Sequence, residues 1–158
     1  MKRKMFTVLA VMAITVFPLY AQSESDFEVQ QNKDNTLTIT KYNGAAKDLV
    51  IPDTLYGLKV TIIGERVFWN KGLTSVVIPN TVITIEYAAF VINKKLTTVV
   101  LGNRLKTIGE EAFFGCSNLA EIVIPNSVTS IGGGILLLIW NIVMMGMVAG
   151  MSLLLVED

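Results

Sequence analysis

The chain has 158 residues, of which 52% are apolar, and its 13 Lys and Arg balance 13 Asp and Glu. Because His is absent and Cys occurs once, the composition excludes an intramolecular disulfide and a His/Cys metal cluster. No phosphate-binding loop is visible, and the chain has no excess of positive charge that would favour binding to nucleic acid. We therefore expect a protein that is not an enzyme and that uses no metal or cofactor.

The N-terminus predicts a secretory signal peptide over residues 1–21. Met1-Lys-Arg-Lys4 is basic, residues 5–17 form an apolar run, and the small residue Ala21 suits cleavage before Gln22. An uncleaved anchor helix is the less favoured alternative because the run is short for a membrane span. Removal of the leader leaves 10 basic residues against 13 acidic ones, a net charge of −3, in a chain long enough for one small domain.

Residues 22–44 predict an N-terminal β-hairpin that caps the rest of the domain. The segments 27–31 and 36–42 each alternate apolar with polar residues, and Lys33-Asp34-Asn35 between them suits a turn. A repeat array needs an atypical end of this kind to cover its first open layer of core.

Residues 45–134 are built from a unit of about 23 residues. The octapeptide LTSVVIPN at 73–80 returns as LTTVVLGN at 96–103 and as LAEIVIPN at 119–126. A first, irregular copy precedes them, and the 27 positions from Ile51 to Ile78 indicate an insertion that is expelled into a longer connection. A short period of this kind is typical of a solenoid, in which one unit cannot bury its apolar face alone and stacking buries it instead.

Several recurring residues predict the core of this solenoid. Phe68, Phe90 and Phe113 recur at the repeat spacing, which favours a stacked aromatic core over a ligand cage. Cys116 takes the position of Asn93, a small buried polar site, and without a His to act as its base it is not expected to be catalytic. The glycines at 64, 109 and 132 share one turn position and predict either an unusual φ or close packing.

The outward strand positions are the candidate protein-binding surface. Period-2 alternation predicts one exposed ladder of Val50, Val77, Val100 and Val123, with a second ladder of Ser75, Thr98 and Glu121 beside it. Concave solenoid faces commonly bind partners, and an apolar row there would suit a protein. For any single valine the simpler interpretation is that valine favours strands and pairs with itself across them, so the binding hypothesis applies to the row.

The last regular unit, LAEIVIPNSVTSIG at 119–132, follows IGEEAFFGC at 108–116. These segments resemble the repeats of the BspA-like bacterial leucine-rich repeat surface proteins, and the resemblance covers roughly residues 26–132. It implies a mainly β, curved, right-handed leucine-rich-repeat solenoid, export to the cell surface or beyond, and a role in adhesion or other protein binding. It implies no catalytic residue and no cofactor.

Residues 135–158 depart from the repeat pattern. From 135 to 156 the 22 residues include only Asn141 and Ser152 as polar members, and a helix of that length, about 33 Å, could cross a bilayer core of about 30 Å. The Gly146-x-x-x-Gly150 motif favours a membrane anchor, whereas the absence of Lys or Arg after it opposes one. A repeat array interrupted in its reading frame explains the segment equally well, and a buried capping helix is the third interpretation.

These features predict an exported bacterial module at the cell surface that acts in adhesion or in binding a protein partner, extracellular or from a host. Residues 135–156 would add membrane association if they form an anchor. A truncated repeat-protein remnant without a partner is the alternative. Glycan binding ranks third because the strand positions supply no aromatic residue.

Overall fold

A computed structural model describes residues 23–134 of the chain. The predicted signal peptide over 1–21 and the apolar segment over 135–158 lie outside the described residues. The described part is mainly β, preceded by a 3-10 helix at Glu24–Asp26. Its strands are β1 (Phe27–Gln31), β2 (Leu37–Tyr42), β3 (Asp48–Val50), β4 (Thr54–Leu55), β5 (Leu58–Ile63), β6 (Ser75–Val77), β7 (Thr84–Ile85), β8 (Thr98–Val100), β9 (Thr107–Ile108) and β10 (Ser130–Ile131).

The predicted N-terminal hairpin is formed by β1 and β2, which pair antiparallel. The Asn32 amide closes the turn by donating to the Thr36 carbonyl at 2.8 Å, and Asn35 adopts a left-handed φ of 60°. The Thr36 hydroxyl and amide both donate to the Asp34 carboxylate, and these bonds lower the pKa of that carboxyl. Because β2 also pairs parallel with β5, the hairpin forms the first layer of the array.

The insertion in the first repeat forms a second, smaller hairpin from β4 and β5. Tyr56 and Gly57 at its tip have φ of 50° and 78°, and positive φ at both positions suits a tight two-residue turn. The Tyr56 amide donates to the Glu24 carboxylate at 2.9 Å, and the Tyr56 hydroxyl donates to the Glu24 carbonyl at 3.1 Å. The expected longer connection is therefore an ordered hairpin tied to the start of the described chain.

The coils add strands to two sheets, in which strands of successive coils pair parallel. β3, β6 and β8 form a three-stranded sheet, and the second sheet continues from β2 through β5, β7, β9 and β10. In the second sheet Ile63, Ile85 and Ile108 lie in register on successive coils, and all three are buried. The repeat period thus corresponds to one coil of a solenoid, which confirms the predicted fold class.

A column of five aromatic rings runs through the core. The buried rings of Phe68, Phe90 and Phe113 stack nearly parallel, with centroids 4.9 and 5.1 Å apart. Tyr42 continues the column at 5.4 Å from Phe68, and Phe27 lies 5.2 Å from Tyr42. The prediction that the three phenylalanines form the core is confirmed. The hairpin aromatics, which lie outside the repeat period, join the same column.

Asn93 links neighbouring coils by buried hydrogen bonds. Its amide nitrogen donates to the carbonyls of Phe68 and Phe90 at 2.8 and 2.7 Å, and its oxygen accepts from the Leu73 amide at 3.1 Å. At the equivalent position one coil later, the buried Cys116 thiol donates to the Phe90 carbonyl at 3.3 Å. The prediction of a small buried polar site is confirmed, and its role is to satisfy backbone groups in the turn.

The recurring glycines are explained by close packing rather than by unusual φ. A Cβ added at Gly64 would lie 2.7 Å from the Ile39 carbonyl oxygen, and one at Gly109 would lie 2.6 Å from the Glu86 carbonyl carbon. None of the three glycines has a positive φ. Consecutive coils approach so closely at this turn that a side chain on the glycine would collide with the backbone of the preceding coil.

Each regular coil turns at left-handed residues on either side of its core phenylalanine. Two positions before the phenylalanine, Arg66, Ala88 and Glu111 have φ of 53°, 52° and 56°; two positions after it, Asn70, Ile92 and Gly115 have φ of 49°, 62° and 73°. Because a non-glycine residue in this region costs roughly 1–2 kcal/mol, the surrounding coil must impose the conformation.

Candidate binding surface

The outer face of the three-stranded sheet carries a row of valines. Val50, Val77 and Val100 lie in register on β3, β6 and β8. They are 51%, 38% and 50% exposed, whereas the residue before each of them is buried. Alternation along the strand therefore turns these side chains away from the core. The structure brings three of the predicted valines together as an exposed apolar row.

Polar side chains form a second row at the start of the same strands. Asp48, Ser75 and Thr98 lie in register. The hydroxyls of Thr74 and Ser75 donate to Asp48 Oδ1 at 2.6 and 2.7 Å. These two hydrogen bonds, the Thr74 bond first, hold the pKa of the Asp48 carboxyl below its usual value. The polar row therefore has a fixed negative charge at its first position.

Asp48 is the member of this surface that the sequence analysis missed. The insertion shifts the first repeat by four positions, so Asp48 does not follow the 23-residue beat. The alignment of Ile51 with Ile78 nevertheless places Asp48 opposite Ser75, and the register confirms that offset. The 27-residue spacing between Ile51 and Ile78 therefore indicated the position of Asp48, whereas the 23-residue repeat did not.

The last two predicted residues, Glu121 and Val123, lie outside the paired strands. Residues 119–125 form no strand, so the register of both rows ends at β8, and the in-register stacking expected for Glu121 and Val123 is not observed. Both residues are exposed, Val123 to 71%. A terminal coil has a described neighbour on one side only, and the apolar Ile122 and Ile124 of this coil are only half-buried.

The titratable side chains near this surface are few. Within residues 23–134, no three or more His, Cys, Asp and Glu side chains are grouped to hold a metal ion. Burial raises the pKa of the Cys116 thiol to about 11, so the thiol is neutral at physiological pH and is a poor nucleophile. The exposed valines and their polar neighbours can exclude water from an apolar partner and offer hydrogen bonds at the margin.

Comparison with known proteins relates this repeat to a family. The family described as the BspA type leucine rich repeat region matches residues 42–144, in six copies. The chain belongs to the BspA-type leucine-rich repeat family. The match starts at the last residue of β2 and extends into the segment 135–158, which the sequence analysis placed outside the repeat pattern.

Solved structures of bacterial leucine-rich repeat proteins share the fold. A leucine-rich repeat protein from Bacteroides capillosus is 33% identical, with a TM-score of 0.65 over 70% of this chain and 85% of that one. A leucine rich cell surface protein from Faecalibacterium prausnitzii is 38% identical, with a TM-score of 0.63 over 71% of this chain and 32% of that one. A leucine rich repeat protein from T. pallidum is 25% identical, with a TM-score of 0.60 over 73% of this chain.

The chain spans 65% of the T. pallidum protein and about a third of the F. prausnitzii protein. No curated protein matched the sequence. In the described part of the chain, residues 23–134, no helix has the length and apolar character that a membrane crossing requires.

Proposed function

We propose that the protein is exported and acts at the cell surface as a module that binds another protein through the outer face of β3, β6 and β8. The observation that carries this proposal is the in-register row of Val50, Val77 and Val100, exposed on a parallel sheet. Covering apolar surface releases roughly 25 cal/mol per Å², so a partner that covers the row gains affinity. The charge on Asp48 and the hydroxyls beside it would orient that partner.

Export is supported by the basic, apolar and small-residue order of residues 1–21 and by family membership. The relative from F. prausnitzii is itself described as a cell surface protein. Cell fractionation with N-terminal sequencing tests this part of the proposal. We expect a processed chain that begins at Gln22, and intact Met1 on a cytoplasmic product would contradict export.

A photo-crosslinking side chain placed at Thr98 tests the binding surface in the producing cell. We expect a discrete adduct from Thr98 and none from Lys106, which lies beside the second sheet. Val77→Asp combined with Val100→Asp should abolish the adduct because it places charge in the apolar row, whereas single Val100→Ser should retain it. Far-UV circular dichroism must show that the double variant folds, since like charges on adjacent strands cost some stability.

Three outcomes would contradict the proposal. Equal adducts from Thr98 and Lys106, or an adduct that survives the double substitution, would show that the partner does not bind to the outer face of β3, β6 and β8. No adduct at all from the strand face would favour the alternative hypothesis of a repeat-protein remnant without a partner.

The apolar segment 135–156 has two proposed origins with different consequences. As an anchor it would hold the full-length protein in membranes with Asp158 protected from added protease. As a frame-interrupted end it would cause aggregation or rapid degradation, and the nucleotide sequence across codons 131–136 would contain a homopolymer tract with repeat-coding sequence in a second frame.

A further inference from the structure

A second surface lies along one edge of the solenoid, in the turns that follow the core phenylalanines. Trp69, Val91 and Phe114 occupy equivalent positions there, because the Asn70 amide donates to the Val91 carbonyl at 3.0 Å and the Ile92 amide donates to the Phe114 carbonyl at 2.8 Å. Trp69 and Phe114 are 54% and 40% exposed, whereas Val91 is 7% exposed. Two aromatic side chains therefore project from this edge with a short, buried residue between them.

The stacking of the coils sets how far apart Trp69 and Phe114 lie along the solenoid. Their neighbours in the chain, Phe68 and Phe113, are two steps apart in the aromatic column, at 4.9 and 5.1 Å per step. The left-handed backbone at Asn70 and Gly115 fixes the turn that follows each exposed ring. A ligand that contacts both rings must therefore extend along the solenoid axis across about two coils.

Four lysines line the same edge. Lys71 and Lys94 are one repeat apart, Lys95 follows, and Lys47 Nζ donates to the Lys71 carbonyl at 2.6 Å. The ion pairs within residues 23–134 are Lys41–Glu28 and Arg66–Glu65, so none of the four edge lysines is in an ion pair in that part of the chain.

Carboxylates are scarce on this edge. The segments 67–73, 89–96 and 112–120 contain no Asp or Glu. The adjoining carboxylates are Asp48, which accepts two hydroxyl hydrogen bonds, Glu111, which accepts one from the Tyr87 hydroxyl at 3.0 Å, and the exposed Glu121, which follows the last of these segments. The edge is therefore a local cationic strip on a domain whose other segments hold the acidic residues.

We propose that this lysine and aromatic edge binds an acidic polysaccharide, independently of the strand face. The electron-rich faces of Trp69 and Phe114 suit the C–H faces of sugar rings, and the ammonium groups suit repeated carboxylate or sulfate groups along a linear chain. An extended acidic peptide fits less well, because the Asn70 and Ile92 amides already donate to the next coil and cannot pair with an added strand. Single-stranded nucleic acid would need a stronger overall positive charge than a mature chain of net −3 provides.

The test uses the full-length protein immobilised on a sensor. The probes are polygalacturonate and a sulfated polysaccharide, with neutral dextran, polyglutamate and single-stranded oligo-dT as comparisons. We expect binding to at least one of the two acidic polysaccharides, weakening as salt rises, and no binding to dextran. Trp69→Ala and Phe114→Ala should each weaken polysaccharide binding several-fold, and neither should change any residual retention of polyglutamate.

A charge-matched pair of variants tests the lysines. The triple substitution Lys71→Gln, Lys94→Gln and Lys95→Gln should weaken polysaccharide binding about tenfold, since each exposed charge contributes a few-fold. The matched triple of Lys33→Gln, Lys59→Gln and Lys106→Gln removes the same charge from other parts of the surface and should leave binding unchanged. Far-UV circular dichroism checks that both triples are folded.

Three results would overturn the proposal. The first is binding to neither acidic polysaccharide. The second is equal weakening by the two lysine triples, which would indicate non-specific charge attraction. The third is binding to polyglutamate or oligo-dT as tight as to the polysaccharide, because that would assign the edge to an acidic protein or a nucleic acid.

Discussion

Removal of the Phe90 side chain should be the most damaging single truncation in the aromatic column. Phe90 is fully buried and stacks on two rings, at 4.9 Å from Phe68 and 5.1 Å from Phe113. Truncation of a core Phe to Ala costs about 3–5 kcal/mol, and each aromatic pair adds about 0.5–1.5 kcal/mol beyond burial. With two pairs lost, we expect Phe90→Ala to cost about 5 kcal/mol, against roughly 5–15 kcal/mol for a whole domain.

Urea denaturation followed by circular dichroism measures this loss. With an m-value of about 2 kcal/mol per molar urea, the midpoint should fall by roughly 2–3 M, and the variant could be unfolded without denaturant. Phe27→Ala is the graded comparison, because Phe27 contacts one ring of the column at its end, and it should cost less. If Phe90→Ala shifts the midpoint no further than the surface change Lys94→Ala, the column does not stabilise the array.

Three further changes test the packing of the coils. Gly109→Ala should lower the free energy of unfolding by about 1–3 kcal/mol, because its Cβ would lie 2.6 Å from the Glu86 backbone. Gly57→Ala has open space around its Cβ and should cost about 1 kcal/mol for its left-handed φ alone. Equal urea midpoints for the two variants would contradict the close approach at Gly109. Asn93→Ala should cost about 1–3 kcal/mol in the same assay, because it leaves the buried Leu73 amide without its acceptor, and an unchanged midpoint would show that the turn is satisfied in another way. Burial raises the pKa of Cys116 from 9.0 to about 11, so the thiol of the unfolded chain ionises first and stability should fall as pH rises from 9 to 11, with no effect below pH 9. Cys116→Ala should remove that part of the pH dependence. Rapid reaction of the native thiol with a disulfide reagent at pH 8 would contradict its burial.

The repeat spacing in the sequence predicted the core because burial at Phe68, Phe90 and Phe113 recurs with each coil. The same spacing could not predict that Tyr42 and Phe27 join the column. Those two residues belong to a hairpin with a different periodicity, and their position depends on how β2 pairs with β5. The repeat therefore predicted the core residues of the regular coils, but not those of the N-terminal hairpin.

The surface was less predictable than the core. The sequence did not reveal Trp69 and Phe114 as a pair, because the equivalent residue of the coil between them is Val91. Aromatic residues therefore do not recur at that repeat position. The period-2 rule predicted the outward direction of Val77 and Val100, but it could not predict where strand pairing stops. Whether residues 119–125 pair with β8 depends on contacts between coils, which a local sequence pattern does not contain.

The contact between Tyr56 and Glu24 bears on the proposed cleavage of the leader. Glu24 is three residues after Ala21, and its carboxylate and carbonyl are both bonded to the tip of the second hairpin. A protease that cuts after Ala21 needs the flanking chain extended, and this contact folds that chain back onto the domain. If the chain is cut there, leader removal should therefore precede docking of residues 23–26. Tyr56→Gly, which removes the hydroxyl hydrogen bond to the Glu24 carbonyl and keeps the backbone amide, should loosen the contact and be processed faster in a pulse-chase experiment.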